Sequence, residues 1–306
     1  MLVGVDLGGT KIQAVALDGT EVVAKKRLAT PAAGGEELPA AIASAIRELG
    51  VDIDRVGIGA PGVIDVASGT IVRAPNLNVA STLPLTTAVA AALGISSADV
   101  VLDNDVNAGA LAEQRLGAAS GSRDALCVFV GTGVGGGLVL DGTIRRGPRG
   151  LTGEIGHVVV RDGGRRCGCG GLGHLEAYAG RRCLEDEARR LHEGGRQTAL
   201  VRIAGDGRMK SSVFEKALDE GDEVALALLG EAVEALGAAL ASAVALVDIE
   251  LIVLGGGLAG RLGAPFAARV DDALRARLFV PSLQVPVVPA ALGDLGGAVG
   301  AALLAA

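Results

Sequence analysis

Four soft or borderline metal donors fall between residues 157 and 174: His157, Cys167, Cys169 and His174. A Cys-x-Cys pair, a further donor five residues on and a histidine upstream suit a closed tetrahedral zinc site. Glycines at 168, 170, 171 and 173 let the loop wrap a small ion, and a segment without regular structure gains order from such a metal. The plain alternative is two free thiols on a flexible loop. Cys127 and Cys183 sit in strand-like and helix-like sequence and read as small core residues. His192, at a helix end, reads as solvent-facing.

Three glycine turns could hold phosphate or nucleoside. In Asp6-Leu-Gly8-Gly9-Thr10-Lys11 a turn at a strand end lets the backbone approach phosphate oxygens. Thr10 and Lys11 add a hydroxyl and a charge there, and Asp6 is placed to hold Mg²⁺ through water. The second turn, Gly131-Thr132-Gly133 with Gly135 to Gly137 beyond it, can cradle another phosphate. It runs on into the strand-like Leu138–Leu140, not a helix, which argues against dinucleotide binding of the Rossmann kind. The third, Gly255-Gly256-Gly257 after a buried strand, can lie against an adenine and ribose. Each also reads as an ordinary hairpin or connection. The Gly-x4-Gly-Lys-Ser/Thr pattern is absent. Asn104-Asp105 ends a strand and opens a helix, where the dipole keeps a carboxylate ionised and able to take a proton from a hydroxyl; both residues equally suit a helix N-cap.

The elements that must position these groups alternate. Leu2–Leu17 reads as two strands about the first turn, with Asp18-Gly19 leading into a third at Glu21–Leu28. A helix over Glu36–Leu49, a buried strand at Arg55–Gly59, a helix at Leu85–Leu93, a strand at Val100–Leu102 and a helix at Asp105–Leu116 follow. Then the opening repeats: Gly8 precedes Asp18-Gly-Thr20 by ten positions, and Gly131 precedes Asp141-Gly-Thr143 by ten. Residues 150–176 are loop-rich. Helices are expected at Glu176–Glu193, Asp222–Val247, Ala264–Leu278 and Gly297–Leu304, with strands at Ile249–Leu254 and Gln284–Val288. The class is α/β, with a duplicated core and one glycine hairpin in each half.

Composition removes several functions. Half of the 306 residues are hydrophobic and aromatics are 2%, with no Trp; platforms for stacking single-stranded bases are missing. The net charge of −7 is opposite to what a phosphate-backbone binder needs. The longest apolar run, Ala235–Val247, falls short of a membrane span. The N-terminal residues enter a strand with no basic region or cleavage site, and four cysteines are no disulfide scaffold. These features lead to the expectation of a reduced, cytoplasmic protein that binds neither nucleic acid nor membrane.

In this order the motifs resemble the ROK family of repressors, open-reading-frame proteins and sugar kinases: Asp6-x-Gly-Gly-Thr-Lys11, Ala60-Pro-Gly62, Pro75-Asn-Leu77, Asn104-Asp105, Gly131-Thr-Gly-x-Gly, Gly153-Glu-x-Gly-His157, Cys167-Gly-Cys169 through His174-x-Glu176, and Leu254-Gly-Gly-Gly257. The likeness spans essentially the whole chain and looks most like the glucokinase branch. It implies an actin-like ATPase fold (ribonuclease H-like) of two lobes around a central cleft. The small lobe would be 1–104 plus 296–306, and the large one 105–295 with a zinc-binding insert at 150–176. It implies phosphorylation of the glucose 6-hydroxyl by ATP with Mg²⁺, in carbohydrate metabolism and glycolysis, with Asp105 as general base. Gly62, Asn76, Asn104, Asp105, Glu154, His157 and Glu176 would bind sugar. Gly8, Gly9, Thr10, Lys11, Gly131, Thr132, Gly133, Gly255, Gly256 and Gly257 would bind ATP, and Asp6 magnesium. His157 would use one ring nitrogen on structural zinc and turn the other to the sugar. A homodimer or homotetramer is implied.

Two positions depart from the family pattern. His174 stands where a third cysteine is usual, which makes the expected site His₂Cys₂. Asn78-Val79-Ala80 stand where an aromatic often follows Pro-Asn-Leu, which leaves the sugar open; the rival substrate is an N-acetylhexosamine (GlcNAc or ManNAc), which shares the gripped hydroxyls, and the rival donor is polyphosphate, against which the Gly255–Gly257 turn favours a nucleoside. Outside the kinases, a sugar-sensing repressor needs a helix-turn-helix ahead of a hairpin that here begins within ten residues of Met1. A silent actin-like scaffold has no use for Asp6, Asp105 and both phosphate hairpins.

Overall fold

The computed structural model describes residues 1–79 and 81–306; Ala80, one of the positions that depart from the family pattern, lies outside them. In chain order the elements are β1 (Leu2–Leu7), β2 (Lys11–Asp18), β3 (Glu21–Ala29), α1 (Leu38–Arg47), β4 (Arg55–Ala60), β5 (Val63–Asp65), β6 (Thr70–Arg73), α2 (Leu85–Leu93), β7 (Val100–Asn104), α3 (Asp105–Leu116), β8 (Ala125–Val130), β9 (Val134–Leu140) and β10 (Thr143–Arg145). Then come α4 (Glu176–Ala179), α5 (Arg181–Glu193), α6 (Ala199–Ala204), α7 (Ser211–Asp219), α8 (Glu223–Val247), β11 (Leu251–Gly255), α9 (Gly256–Arg275), β12 (Val287–Pro289) and α10 (Gly296–Leu304). The expected α/β class is what forms.

Contacts divide the chain into two compact units. The first holds Met1–Gly121, Gly137–Thr152 and Ala291–Ala306. Its sheet runs β3-β2-β1-β4-β7, with β1, β4 and β7 parallel and the β1–β2–β3 meander antiparallel. The parallel register sets Asp6 beside Gly59 and Gly59 beside Asp103. Three carboxyl-terminal strand ends thus line one edge, where ligands of open α/β sheets collect. Helices α1 and α2 bury Leu38, Ile42, Ile46, Leu85 and Val89 against Val3, Val5, Val56 and Ile58. Helix α10 covers the other face with Ala298, Val299 and Ala302. It comes so close that a Cβ on Gly4 would stand 1.9 Å from the Ala298 carbonyl oxygen and one on Gly57 1.7 Å from that of Ala301. Glu113, 2% exposed, fastens this return: its carboxylate accepts N–H from Ala118, Ala291 and Leu292 at 2.8, 3.1 and 3.0 Å.

The second unit holds Ser122–Gly136 and Gly153–Ala290. Within it β8, β11 and β12 run parallel, with β11 between the other two. The duplication expected from the sequence is present: β8 and β9 flank Gly131–Gly133 as β1 and β2 flank Gly8–Thr10, and Asp141-Gly142 leads into β10 as Asp18-Gly19 leads into β3. Asp141 and Gly142 both have positive φ, 53° and 70°, as a two-residue hairpin turn of the I′ kind requires.

Several expected elements differ. The helix expected over Glu176–Glu193 breaks at Gly180, whose ψ of 128° is extended, so α5 starts afresh there. The Gly255–Gly257 turn is taken into helix: α9 begins at Gly256, and the expected start at Ala264 is where the helix resumes after Gly263 (φ 64°), with Pro265 in the resumed first turn. The last strand is shorter and later than Gln284–Val288, covering Val287–Pro289. The β5–β6 hairpin and helices α6 and α7 were not expected. Helix α8 has 25 residues with an 18-residue window of mean hydropathy 1.8, which by length and composition is enough to cross a membrane where the run Ala235–Val247 alone falls short; 61% of that window is buried inside the structure. His192 is half-buried with Nδ1 enclosed, rather than solvent-facing. Cys127 is buried, and Cys183 only half so.

Candidate active site

In the first unit, Asp6 ends β1 and the tight turn after it closes by the Gly8 N–H donating to the Lys11 carbonyl at 2.9 Å. Thr30 Oγ1 donates to the Gly8 carbonyl at 2.6 Å. Gly9 lies against Asn76, whose carbonyl oxygen a Cβ would meet at 2.7 Å. Part of Asp6 reaches solvent, yet burial of its carboxyl pushes the pKa above the ordinary value; Lys11 and Arg27 oppose that push and Asp294 adds to it. A dication would reverse the penalty by favouring the charged form, so this carboxylate fits the metal-holding role expected of it.

Of the two roles their sequence left open, the helix N-cap is taken by Asn104. Asn104 caps α3, its Oδ1 accepting from the Val106 N–H at 2.9 Å, and its Nδ2 donates to the Gly62 carbonyl at 3.4 Å. Gly62 itself has φ 102°, and a Cβ there would stand 2.3 Å from the Arg73 carbonyl oxygen. Asp105 is the first residue of α3, with Oδ1 accepting from its neighbour's N–H at 2.9 Å. The groups that fix it escaped the sequence reading. Asp103 is 2% exposed. Its Oδ1 accepts from the Asn104 N–H at 2.7 Å and Asn107 Nδ2 at 3.0 Å. Its Oδ2 takes Arg146 Nε and Nη2, both at 2.6 Å. Asp103 was legible only as the third acidic or amide residue of Asp103-Asn-Asp105; nothing local marks Arg146.

In the second unit the four expected zinc donors converge. Their ligand atoms lie within 4.8 Å of one another, with Cys169 Sγ 3.2 Å from His174 Nδ1 and Cys167 Sγ 3.9 Å from His157 Nδ1. A tetrahedron with Zn–S of about 2.3 Å and Zn–N of about 2.0 Å separates its ligand atoms by about 3.3–3.8 Å, so the set fits the ion. Burial pushes the Cys167 thiol up to about 12; the Cys169 thiol and Glu176 add to this, and the Cys169 N–H opposes it. A cation at this place makes the thiolate the stable form. His157 turns Nδ1 to the cluster and Nε2 to Glu154, 3.7 Å from its Oε2.

Glu176 links this cluster to the second glycine turn. Its Oε1 accepts from Cys167 Sγ at 3.4 Å and its Oε2 from the Val134 N–H at 3.0 Å. The turn is closed by the Gly131 N–H donating to the Gly133 carbonyl at 2.9 Å. Gly131 and Gly257 are neighbours, for a Cβ on Gly131 would lie 3.8 Å from the Gly257 nitrogen. Two of the three expected turns therefore share one corner. Gly256 (φ 88°) has no room for a side chain: a Cβ would stand 2.6 Å from the Val130 backbone. Arg181, a third residue missed in the sequence, donates from Nη2 to Thr132 Oγ1 at 2.8 Å and from Nη1 to the Met209 carbonyl at 2.7 Å.

The profile of the ROK family matches residues 2–306. A glucokinase of Streptomyces coelicolor is 35% identical, over 100% of this chain and 97% of its own. Among solved structures, a ROK hexokinase of Thermus thermophilus is 37% identical with a TM-score of 0.82, covering 99% of this chain and 96% of that one. A ROK family glucokinase of Streptomyces griseus, in complex with glucose and AMPPNP, is 34% identical with a TM-score of 0.83, covering 99% and 98%.

Proposed function

The chain belongs to the ROK family, and from that premise we propose that it is an ATP-dependent glucokinase. The observation that carries the reading is likeness at 34–37% identity, over nearly the whole of both chains, to a hexokinase and to a glucokinase with sugar and nucleotide bound. The fold the family implies, a duplicated actin-like α/β core, is supported by the two glycine hairpins and the two sheets.

Asp105 is the general base. It takes the proton of the glucose 6-hydroxyl as that oxygen attacks the γ-phosphorus of ATP; the bond to the bridging oxygen breaks and ADP leaves. Asp105 opens α3, where the helix dipole favours a negative group, and Asn104 and the Asp103–Arg146 pair brace the turn that carries it. Asn104, Glu154, His157 and Glu176 bind sugar hydroxyls, with Gly62 and Asn76 beside them. Gly8–Lys11 and Gly131–Gly133 bind phosphates, and Gly255–Gly257 the nucleoside. Asp6 would hold Mg²⁺, which when bound neutralises charge developing on the phosphates. His157, Cys167, Cys169 and His174 would hold zinc in a structural role, fixing the tautomer of His157 and its orientation toward the sugar. The two compact units act as the two lobes, so that 105–121, 137–152 and 291–295, expected in the large lobe, go with the small one. The protein works as a cytoplasmic homodimer or homotetramer.

A coupled ADP-release assay with ATP·Mg tests this on glucose, mannose, fructose, GlcNAc and ManNAc, with zinc measured on the same sample. Glucose should show kcat/KM at least about tenfold above the other sugars, with one zinc per chain. Faster turnover of an N-acetylhexosamine would replace the substrate, and zinc-loaded protein inert toward every sugar would overturn the kinase reading.

A further inference from the structure

We propose that Arg181 is a positioning residue for the phosphate donor, one that holds the Gly131–Gly133 turn in its binding form and aims the Thr132 hydroxyl at the incoming phosphate. The inference rests on the reading that this turn binds ATP.

A threonine hydroxyl has one proton and two lone pairs. Arg181 Nη2 occupies a lone pair of Thr132 Oγ1 at 2.8 Å. A guanidinium is a donor only, so the hydroxyl proton cannot be spent on Arg181 and is left for an acceptor outside. Thr132 is exposed, and an anionic oxygen is the acceptor such a turn is built to meet. The backbone supports the same orientation. The carbonyls of Gly131 and Thr132, which would repel phosphate, are taken by the N–H groups of Arg181 and Arg182, each at 3.0 Å. Among the described residues no protein group takes the N–H of Thr132 or Gly133, so two donors remain for an anion. Arg181 cannot swing away readily: Nη1 is held at 2.7 Å by the Met209 carbonyl, and the side chain is half-buried. A planar fork fixed at both nitrogens loses little further freedom when the ligand arrives.

Isothermal titration of ATP·Mg into the zinc-loaded protein provides the test. Arg181→Ala should weaken ATP·Mg binding about tenfold, the scale of one lost charge-assisted hydrogen bond. Glucose affinity, measured without nucleotide, and zinc content should not change. Millimolar ethylguanidinium should restore part of the lost affinity. In a Thr132→Val background the same substitution should add less than about twofold, because the hydroxyl it orients is gone. An Arg181→Ala protein that binds ATP·Mg within twofold of wild type would overturn the proposal. So would joint loss of zinc, glucose and nucleotide binding without rescue, which marks a merely structural residue. ATP·Mg binding without phosphoryl transfer to any sugar would instead sink the kinase reading and leave Arg181 standing on its own measurements.

Discussion

Replacing Asp103 by asparagine keeps the shape of the side chain and removes its charge. The carboxylate is almost wholly buried and meets four donors, two on each oxygen: the Asn104 N–H and Asn107 Nδ2 on one, Arg146 Nε and Nη2 on the other. An amide has a donor at one end. Whichever way the introduced amide flips, its NH₂ faces two N–H groups, so two of the four hydrogen bonds are lost. Bonds to a charged acceptor contribute about 1.5–3 kcal/mol each. Arg146 is 36% exposed, so water partly replaces what it loses, and the lower end applies, about 3 kcal/mol in all. For a domain of this size that lowers the melting temperature by roughly 6–12 °C. The first turn of α3 should shift with it, and a displacement near 1 Å at Asp105 reduces kcat about a hundredfold. Differential scanning calorimetry reads the first effect and steady-state kinetics well below the transition the second. The reasoning fails if Asp103→Asn melts within about 2 °C of wild type. It fails equally if Arg146→Gln destabilises the Asp103→Asn protein as much as the parent, since a coupled pair cannot be additive.

Other perturbations have separable outcomes. Asp105→Asn should keep glucose affinity within a few-fold, by equilibrium titration, and lose about 10²–10⁴ in kcat. Stripping zinc with a chelator, followed by metal analysis, should raise the KM for glucose about 10–100-fold, because the orientation of the His157 ring goes with the metal; re-addition should restore it. Gly256→Ala must place a Cβ at φ 88° against the Val130 backbone; a loss of at least about 2 kcal/mol in urea unfolding is expected. Asp222 caps α8 and bonds Thr198, Ala199 and Ala225 at 2.7–2.9 Å. Burial raises its pKa, but the bonds from Ala199, Ala225, Thr198 and Val224 together outweigh it and hold the group below its ordinary value. A carboxyl depressed on folding stabilises above its unfolded pKa of about 3.9 and loses that contribution as pH falls through the folded value. A neutral amide keeps the cap but not the charge-assisted bonds, so Asp222→Asn should lose about 1 kcal/mol at pH 7, and the gap to wild type should narrow as melts are run at pH falling below about 4.

The zinc cluster and the two hairpins were legible because their information is local. Cys167, Cys169 and His174 lie within eight residues of one another, and a strand–glycine turn–strand unit carries its own period. The α5 start was missed because Glu176–Glu193 has helical apolar spacing on both sides of Gly180, and the break is imposed by the Gly131 and Thr132 carbonyls, each 50 positions away from the N–H group that meets it. Asp103–Arg146 and Arg181–Thr132 are likewise pairs distant in sequence, 43 and 49 positions apart. Nothing in a single sequence marks such partners. The start of α9 at Gly256 was hidden for a different reason: a glycine run argues for a turn, and here Gly256, with positive φ and no room for a Cβ against the Val130 backbone, opens a helix.

The backbone-to-backbone seating of α10 on β1 and β4 shapes how this chain is made. Gly296, where the helix begins, follows Ala60, where β4 ends, by 236 residues. At about 5–20 residues per second of synthesis, the first sheet waits roughly 12–47 s for its second face to be covered. Throughout that interval Val15, Leu17 and the bare strip at Gly4 and Gly57 stand open to solvent on the ribosome. A premature stop anywhere before Gly296 would leave that surface permanently uncovered.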